Sequence, residues 1–303
     1  APTATISSST NPSCNGLCNG SATVTLGGTL NPPYNYSWSN GSVTNGSVLT
    51  SNTVNTLCSG TTSVTVTDNL GCSAVTSVNL TAPTALAQST TSVSAHCGQN
   101  DGSATINVSG GTPGYTYLWN AAAGNQTTQT ATNLVPGSYS VTATDVNGCS
   151  IVGNVTVGNL AGVVASIASQ TNVSCNGGNN GQATATGTGG NLPYSYQWPA
   201  SAGNQTTATA TNLAANTYIV TVTDDNGCTS TASVTITQPT PVTATISSFT
   251  NALCNGACNG TATVLGGGGT PAYTYLWSNT QTNATATGLC DGVYNVTVTD
   301  NNN

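Results

Sequence analysis

No lysine, arginine, glutamate or methionine occurs in the 303 residues, and seven aspartates and one histidine carry almost all of the ionic character. Only 2% of the chain is charged and its formal net charge is −7. Without cations there can be no salt-bridge networks, no cationic phosphate site and no ordinary nucleic-acid interface, because neutralising phosphates dominates that affinity. So few acids and one histidine do not supply the acid–base pairs of a hydrolase or transferase. The composition therefore points away from an enzyme, and no catalytic residue, cofactor or metal site is assigned. The carboxylates form no acidic run, so nothing selects a basic partner. Every trypsin-type cleavage site is missing as well. No window approaches eighteen consecutive apolar residues, and the opening APTATISSST has neither the basic nor the apolar region of a signal peptide. The sequence is expected to be a mature or excised segment with no membrane insertion.

What is plentiful is cysteine, with 11 residues, together with Thr, Ser, Asn and Gly. Many cysteines in a chain poor in other reactive groups indicate disulfides and an oxidising compartment, so the expected location is extracellular, secreted or on the cell surface.

Self-comparison reveals the organisation. Trp38, Trp119, Trp198 and Trp277 are spaced by 81, 79 and 79 residues, inside PPYNYSW, PGYTYLW, LPYSYQW and PAYTYLW. Downstream, SVTVTDNLGC, SVTATDVNGC and IVTVTDDNGC recur, and NVTVTDNNN follows the fourth tryptophan. The chain thus divides into four repeats, 1–81, 82–159, 160–238 and 239–303, the last without its final strand. Three aromatics at alternate positions in Tyr34-Asn35-Tyr36-Ser37-Trp38 share one strand face. Ser63-Val64-Thr65-Val66-Thr67 alternates likewise and runs into the turn chemistry of Asp68-Asn69-Leu70-Gly71. No helical stripe competes. The expected fold is all-β: a tandem array of four immunoglobulin-like antiparallel β-sandwich repeats of about seven strands each. Short junctions without Gly/Ser spacers predict an elongated, stiff rod. Tyr139, Tyr218 and Tyr294 occupy a corner position that Thr62 takes in the first repeat.

Alignment of the repeats places Cys14, Cys97, Cys175 and Cys254 at one position and Cys72, Cys149 and Cys228 at another. The expected bonds inside each repeat are Cys14–Cys72, Cys97–Cys149 and Cys175–Cys228. Cys18 with Cys58, and Cys258 with Cys290, are present together in the outer repeats and absent together in the inner ones (Asn100 with Val135, Asn179 with Ala214). Joint presence and absence predicts Cys18–Cys58 and Cys258–Cys290, and leaves Cys254 unpaired within the chain. Its partner is either a cysteine of a further repeat in a longer polypeptide, the favoured reading, or one on an adjacent molecule that supplies the missing strand.

The composite C-N-G-x-x-N-G-x-A-T, then G-G-T-x-P-Y-x-Y-x-W, then L-x-x-G-x-Y-x-V-T-V-T-D-x-N-G-C resembles the SprB-type repeat of very large cell-surface proteins of gliding Bacteroidetes. The resemblance covers nearly the whole chain, four times over. It implies a secreted, surface-displayed module of adhesins or surface filaments, with no catalytic residues to carry over.

Three further features have a functional and a structural reading. The Tyr-x-Tyr-x-Trp strands, with Trp38, Trp119, Trp198 and Trp277, are either sugar-stacking platforms or core aromatics packed on a disulfide, the second being favoured. Asp68, Asp145, Asp224 and Asp300 either bind calcium or form Asx turns; one carboxylate per site favours the turn. His96 lacks a nucleophile, and Asp101 reads as a turn residue. The sequons at Asn40, Asn125 and Asn204 allow glycosylation. Edge strands without Lys or Arg need cover from glycan or from neighbouring subunits. The leading functional expectation is a structural or adhesive extracellular protein, part of a surface filament or adhesin stalk braced by disulfides. The alternatives are a glycan-binding module and a self-polymerising fibre subunit completed by strand exchange. Expected partners are other copies of the chain or further repeats, with surface polysaccharide as an alternative.

Overall fold

The computed structural model describes residues 1–254 and 256–302. Contacts divide the chain into two compact units, 1–160 and 161–303.

In the first unit the opening repeat has seven strands: β1 (Pro2–Thr10), β2 (Gly20–Gly28), β3 (Tyr34–Trp38), β4 (Val43–Ser47), β5 (Ser51–Leu57), β6 (Gly60–Thr67) and β7 (Ser73–Leu80). They form two antiparallel sheets, β1-β2-β5 and β4-β3-β6-β7. That strand order, with the two sheets facing each other across one core, defines an immunoglobulin-like sandwich. The second repeat comprises β8 (Ala87–Val93), β9 (Ala95–His96), β10 (Gly102–Ser109), β11 (Thr116–Trp119), β12 (Thr130–Leu134), β13 (Gly137–Thr144), β14 (Ser150–Val157) and β15 (Asn159–Leu160). Its sheets are β12-β10-β8 and β11-β13-β14, with β9 and β15 as a short parallel pair. A single 3-10 turn, Ala121–Ala123, follows the tryptophan strand where the first repeat has β4.

The second unit repeats the plan. Its strands are β16 (Val163–Thr171), β17 (Gly181–Gly189), β18 (Ser195–Gln197), β19 (Thr209–Leu213), β20 (Asn216–Thr223) and β21 (Thr229–Ile236), then β22 (Thr243–Thr250), β23 (Gly260–Gly267), β24 (Thr274–Trp277), β25 (Thr285–Leu289) and β26 (Val296–Thr299). The sheets are β16-β17-β19 with β18-β20-β21, and β22-β23-β25 with β24-β26. Among the described residues no strand follows β26. As a result β22, unlike its counterparts, is exposed along its whole length. Ile246, Phe249 and Trp277 help to line a groove of about 520 Å³ beside it.

Alternation explains the cores. In β2 the Gly20–Leu26 positions alternate buried and half-buried, and in β3 Tyr34, Tyr36 and Trp38 point inward while Asn35 and Ser37 point out. Each sandwich closes on its own apolar cluster, centred on Trp38, Trp119, Trp198 or Trp277. The outward threonines form hydrogen-bonded rungs at the same place in all four: Thr23 with Thr53, Thr105 with Thr130, Thr184 with Thr209 and Thr263 with Thr285, at 2.9–3.0 Å. The tyrosine corners form too. The hydroxyls of Tyr139, Tyr218 and Tyr294 donate to the carbonyls of Val135, Ala214 and Cys290, each four residues upstream. Thr62 fills that place in the first repeat as a buried residue.

Candidate functional site

Each tryptophan is at most 3% exposed, and its indole N–H is satisfied from the opposite sheet or the adjoining loop. Trp38 donates to the Asn52 side chain, and Trp119, Trp198 and Trp277 donate to the carbonyls of Thr128, Thr207 and Asn283, at 2.8–3.0 Å. With Tyr34 and Tyr36 also buried, these faces cannot stack on a sugar, so the platform reading is set aside. The tryptophans do not pack on disulfides either: the four core clusters contain no cysteine. The bonds lie at the ends of the sandwiches.

The turn aspartates act as clamps. Asp145 accepts the N–H groups of Asn147 and Cys149 on Oδ1 and that of Thr112 on Oδ2, all at 2.9 Å. It thereby ties the β13–β14 turn to the loop after β10. Asp224 does the same with Asn226, Cys228 and Asn191, and Asp300 with Asn302 and Thr270. Asp68 accepts Leu70 and Cys72 N–H groups and the Asn31 side chain. Gly111 passes beneath the Asp145 carboxylate at φ +60°, and a Cβ there would stand 2.6 Å from Oδ2, which explains the second glycine of the GG pair. Oxygens committed to N–H groups in this way are Asx-turn acceptors rather than cation ligands. Among the described residues no group of three His, Cys, Asp or Glu side chains is placed to hold a metal.

For Asp145, the Thr112 N–H holds the carboxyl below its usual range against the upward push of burial, aided by the Cys149 and Asn147 N–H groups. For Asp68, burial pushes upward most strongly, yet the bonds from Cys72, Asn31 and Leu70 together outweigh it and the carboxyl is lowered. A carboxyl lowered by folding stabilises the protein fully above its unfolded pKa of about 4, and that contribution disappears as pH falls through the folded value. Stability is therefore expected to be flat from neutral pH to about 4 and to fall below it. Asp145→Asn should lower the plateau and flatten the acid limb in a pH series of urea melts; an unchanged acid limb would remove the clamp from the account. His96 and Asp101 form a local turn pair, with Nδ1 and Oδ2 2.7 Å apart. Asn40, Asn125 and Asn204 are all exposed.

The most elaborate constellation lies where one repeat meets the next. In the loop after β1, Ser13 is held by Asn19, whose side chain accepts its N–H and donates to its Oγ. Asn11 accepts the Thr81 N–H and Asn15 donates to the Pro83 carbonyl, fastening the loop to the segment that leaves β7. On this platform sits the β13–β14 turn of the following repeat. The Asn147 side chain donates to Ser13 O at 3.1 Å and to Thr112 Oγ1 at 2.8 Å. Beside it Cys14 and Cys149 are bonded, with Cα atoms 5.8 Å apart. The second unit reproduces the arrangement. Asn180 holds Ser174, Asn172 and Asn176 fasten the loop to Thr237 and Pro239, and the Asn302 side chain donates to Ser174 O at 2.8 Å and Thr270 Oγ1 at 2.9 Å. Cys175 Sγ lies 3.7 Å from Asn302 O.

This joint corrects the expected pairing. Cys14 bonds Cys149 of the next repeat rather than Cys72, so Cys97–Cys149 is not formed either. The cause is distance. Cys72 stands at the start of β7, whereas Cys14 stands near its end, beside Thr81 and Pro83. Eight strand residues separate them by about 26 Å, and a disulfide needs Cα atoms roughly 4.4–6.8 Å apart. β14 and β21 separate Cys149 from Cys97 and Cys228 from Cys175 in the same way, which excludes Cys175–Cys228. Cys97 and Cys228 are each disulfide-bonded. Cys18–Cys58 and Cys258–Cys290 close the remaining loops. Cys72 and Cys254 carry free, exposed thiols. The signal missed in the sequence is Asn147, which identifies the turn as a docking element.

Fold and joint together define a tandem array of immunoglobulin-like sandwiches braced by disulfides. The chain carries four SprB repeats: the model of that family matches residues 6–43, 89–124, 167–203 and 246–282. Among solved structures, the chain is similar to invasin, titled a bacterial integrin-binding protein, at 14% identity, with 99% of this chain and 76% of that one covered and a TM-score of 0.35. It is similar to a tetra-tandem repeat from the extending region of a large adhesion protein at 17% identity, with 98% and 89% covered and a TM-score of 0.27. A third is the three N-terminal domains of the outer capsid protein Hoc of bacteriophage RB49, at 16% identity, with 78% and 99% covered and a TM-score of 0.33. No curated protein matches the sequence. No helix among the described residues is long and apolar enough to cross a membrane.

Proposed function

We propose that this chain is an extracellular, load-bearing spacer of an adhesin stalk or surface filament, in which disulfides carry tension past the sandwich cores. The observation that supports it is the Cys14–Cys149 bond, which joins positions 135 residues apart. Force applied along the backbone enters at Cys14, crosses one covalent bond and leaves at Cys149. The bond gives force a covalent route past β2–β13, while β1 and β14, which lie outside the closed loop, remain in the line of load. A second support is chemical inertness: no Lys or Arg offers a trypsin-type cleavage site. Cell-surface display accords with the SprB repeats and with bonds that persist only in oxidising surroundings.

Single-molecule stretching of the whole chain tests this. Under oxidising conditions the direct Cys14–Cys149 bond should hold those two positions together while the chain is stretched. After Cys14→Ser they should separate, by less than the roughly 450–490 Å extended span of the residues between them, because Cys18–Cys58 keeps 40 of those residues closed. Equal contour lengths for the two proteins would refute the load-bypass reading.

A further inference from the structure

We infer that the first and fourth repeats carry the two halves of one more joint, and that a second copy of this chain completes it through an intermolecular Cys254–Cys72 disulfide. The two halves are equivalent by position to a joint already formed within the chain. Cys254 holds the place of Cys14 in the loop after the first strand, and Cys72 the place of Cys149 in the aspartate-clamped turn; Cys14 and Cys149 are bonded. Both unbonded members of this set are exposed. The Asp68 clamp on Leu70 and Cys72 gives the turn the same hydrogen bonds that Asp145 gives Asn147 and Cys149.

A second observation concerns the residues that meet beside the disulfide. Within each unit the contact is polar: Asn147 reaches Ser13, and Asn302 reaches Ser174. At the outer ends both partners change together. Leu253 replaces the serine and Leu70 replaces the asparagine, and they stand 84% and 70% exposed. Either leucine alone would spoil a polar contact. Facing each other, they form an apolar one and remove both side chains from water. The outer faces therefore match one another and mismatch the inner ones, which directs the first repeat of one molecule onto the fourth repeat of the next. Such head-to-tail contacts use two different surfaces and need not close, so they propagate into open chains.

Formation of the bond is an oxidation. Two thiols lose two protons and two electrons as the Sγ–Sγ bond forms, and a small-molecule disulfide such as oxidised glutathione accepts them, breaking into two thiols.

The test oxidises the full chain with glutathione disulfide, followed by non-reducing electrophoresis and peptide mapping. A ladder of covalent multimers is expected, with Cys72–Cys254 as its linkage. Cys72→Ser or Cys254→Ser alone should abolish the ladder, whereas a mixture of the two variants should give dimer and nothing larger. Leu70→Asp should slow the ladder at least tenfold and leave Cys14–Cys149 intact. The proposal is overturned if both thiols end as glutathione adducts on monomer, or if Cys72–Cys72 and Cys254–Cys254 links are as frequent as Cys72–Cys254. It is equally overturned if the variant lacking both cysteines assembles as well as the parent, which would indicate strand insertion beside β22 instead.

Discussion

Replacing Trp198 by alanine is expected to destabilise the third sandwich by about 3–5 kcal/mol, the usual cost of deleting a large buried aromatic. Trp198 is fully buried, packs in a cluster with Tyr218, Val220 and Val222, and donates to the Thr207 carbonyl at 3.0 Å. The surrounding side chains are largely Ala and Val, too short to collapse into the space an indole leaves. Denaturant unfolding of the variant, followed by circular dichroism, should show an early transition of one repeat while the fluorescence of the other three tryptophans still reports folded repeats. A loss below about 1 kcal/mol would mean the ring is accessible in solution, and would reopen the sugar-stacking reading that its burial closes.

Removing the Cys18–Cys58 bond by a double serine substitution is expected to cost about 4 kcal/mol on the chain-entropy account of a loop this long. The bond spans 40 residues and joins the loop after β1 to the β5–β6 turn. In a sandwich of this size that loss corresponds to a melting temperature lower by on the order of 20 °C. Calorimetry of the variant beside the parent, with and without reductant, measures it. If reductant leaves the parent's first transition in place, the bond contributes no stability. Cys258–Cys290, which spans 32 residues, should behave alike. The inner repeats lack both cysteines of this pair, and they serve as internal controls that reductant should leave unmoved at this position.

Much of the architecture was legible because it is local and repeated. Alternation in Tyr34–Trp38 decides which face is buried, and the same string recurring at each tryptophan multiplies a weak signal by four. The aspartate turns were legible for the same reason: Oδ1 of Asp145 bonds N–H groups two and four residues ahead, whereas its Oδ2 bond to Thr112, 33 residues upstream, was not. The joint presence and absence of Cys18 with Cys58 also carried the information needed, since both positions belong to one sandwich. The strand count was less legible. Val43–Ser47 pairs with β3, but the corresponding stretch of the second repeat forms only the turn Ala121–Ala123.

The division between sequence and tertiary structure is sharpest at the cysteines. By itself the sequence determined that this is a repeated β-sandwich chain with two recurring cysteine positions per repeat, because periodicity and turn chemistry act within a few residues. Which of those cysteines bond was decided only by the fold. An eight-residue strand holds the two positions of one repeat about 26 Å apart, at opposite ends of the sandwich, while the joint brings Cys14 to Cys149 across 135 residues of sequence. Alignment records that positions are equivalent; only the three-dimensional stacking of one repeat's turn on another's loop determines that they meet.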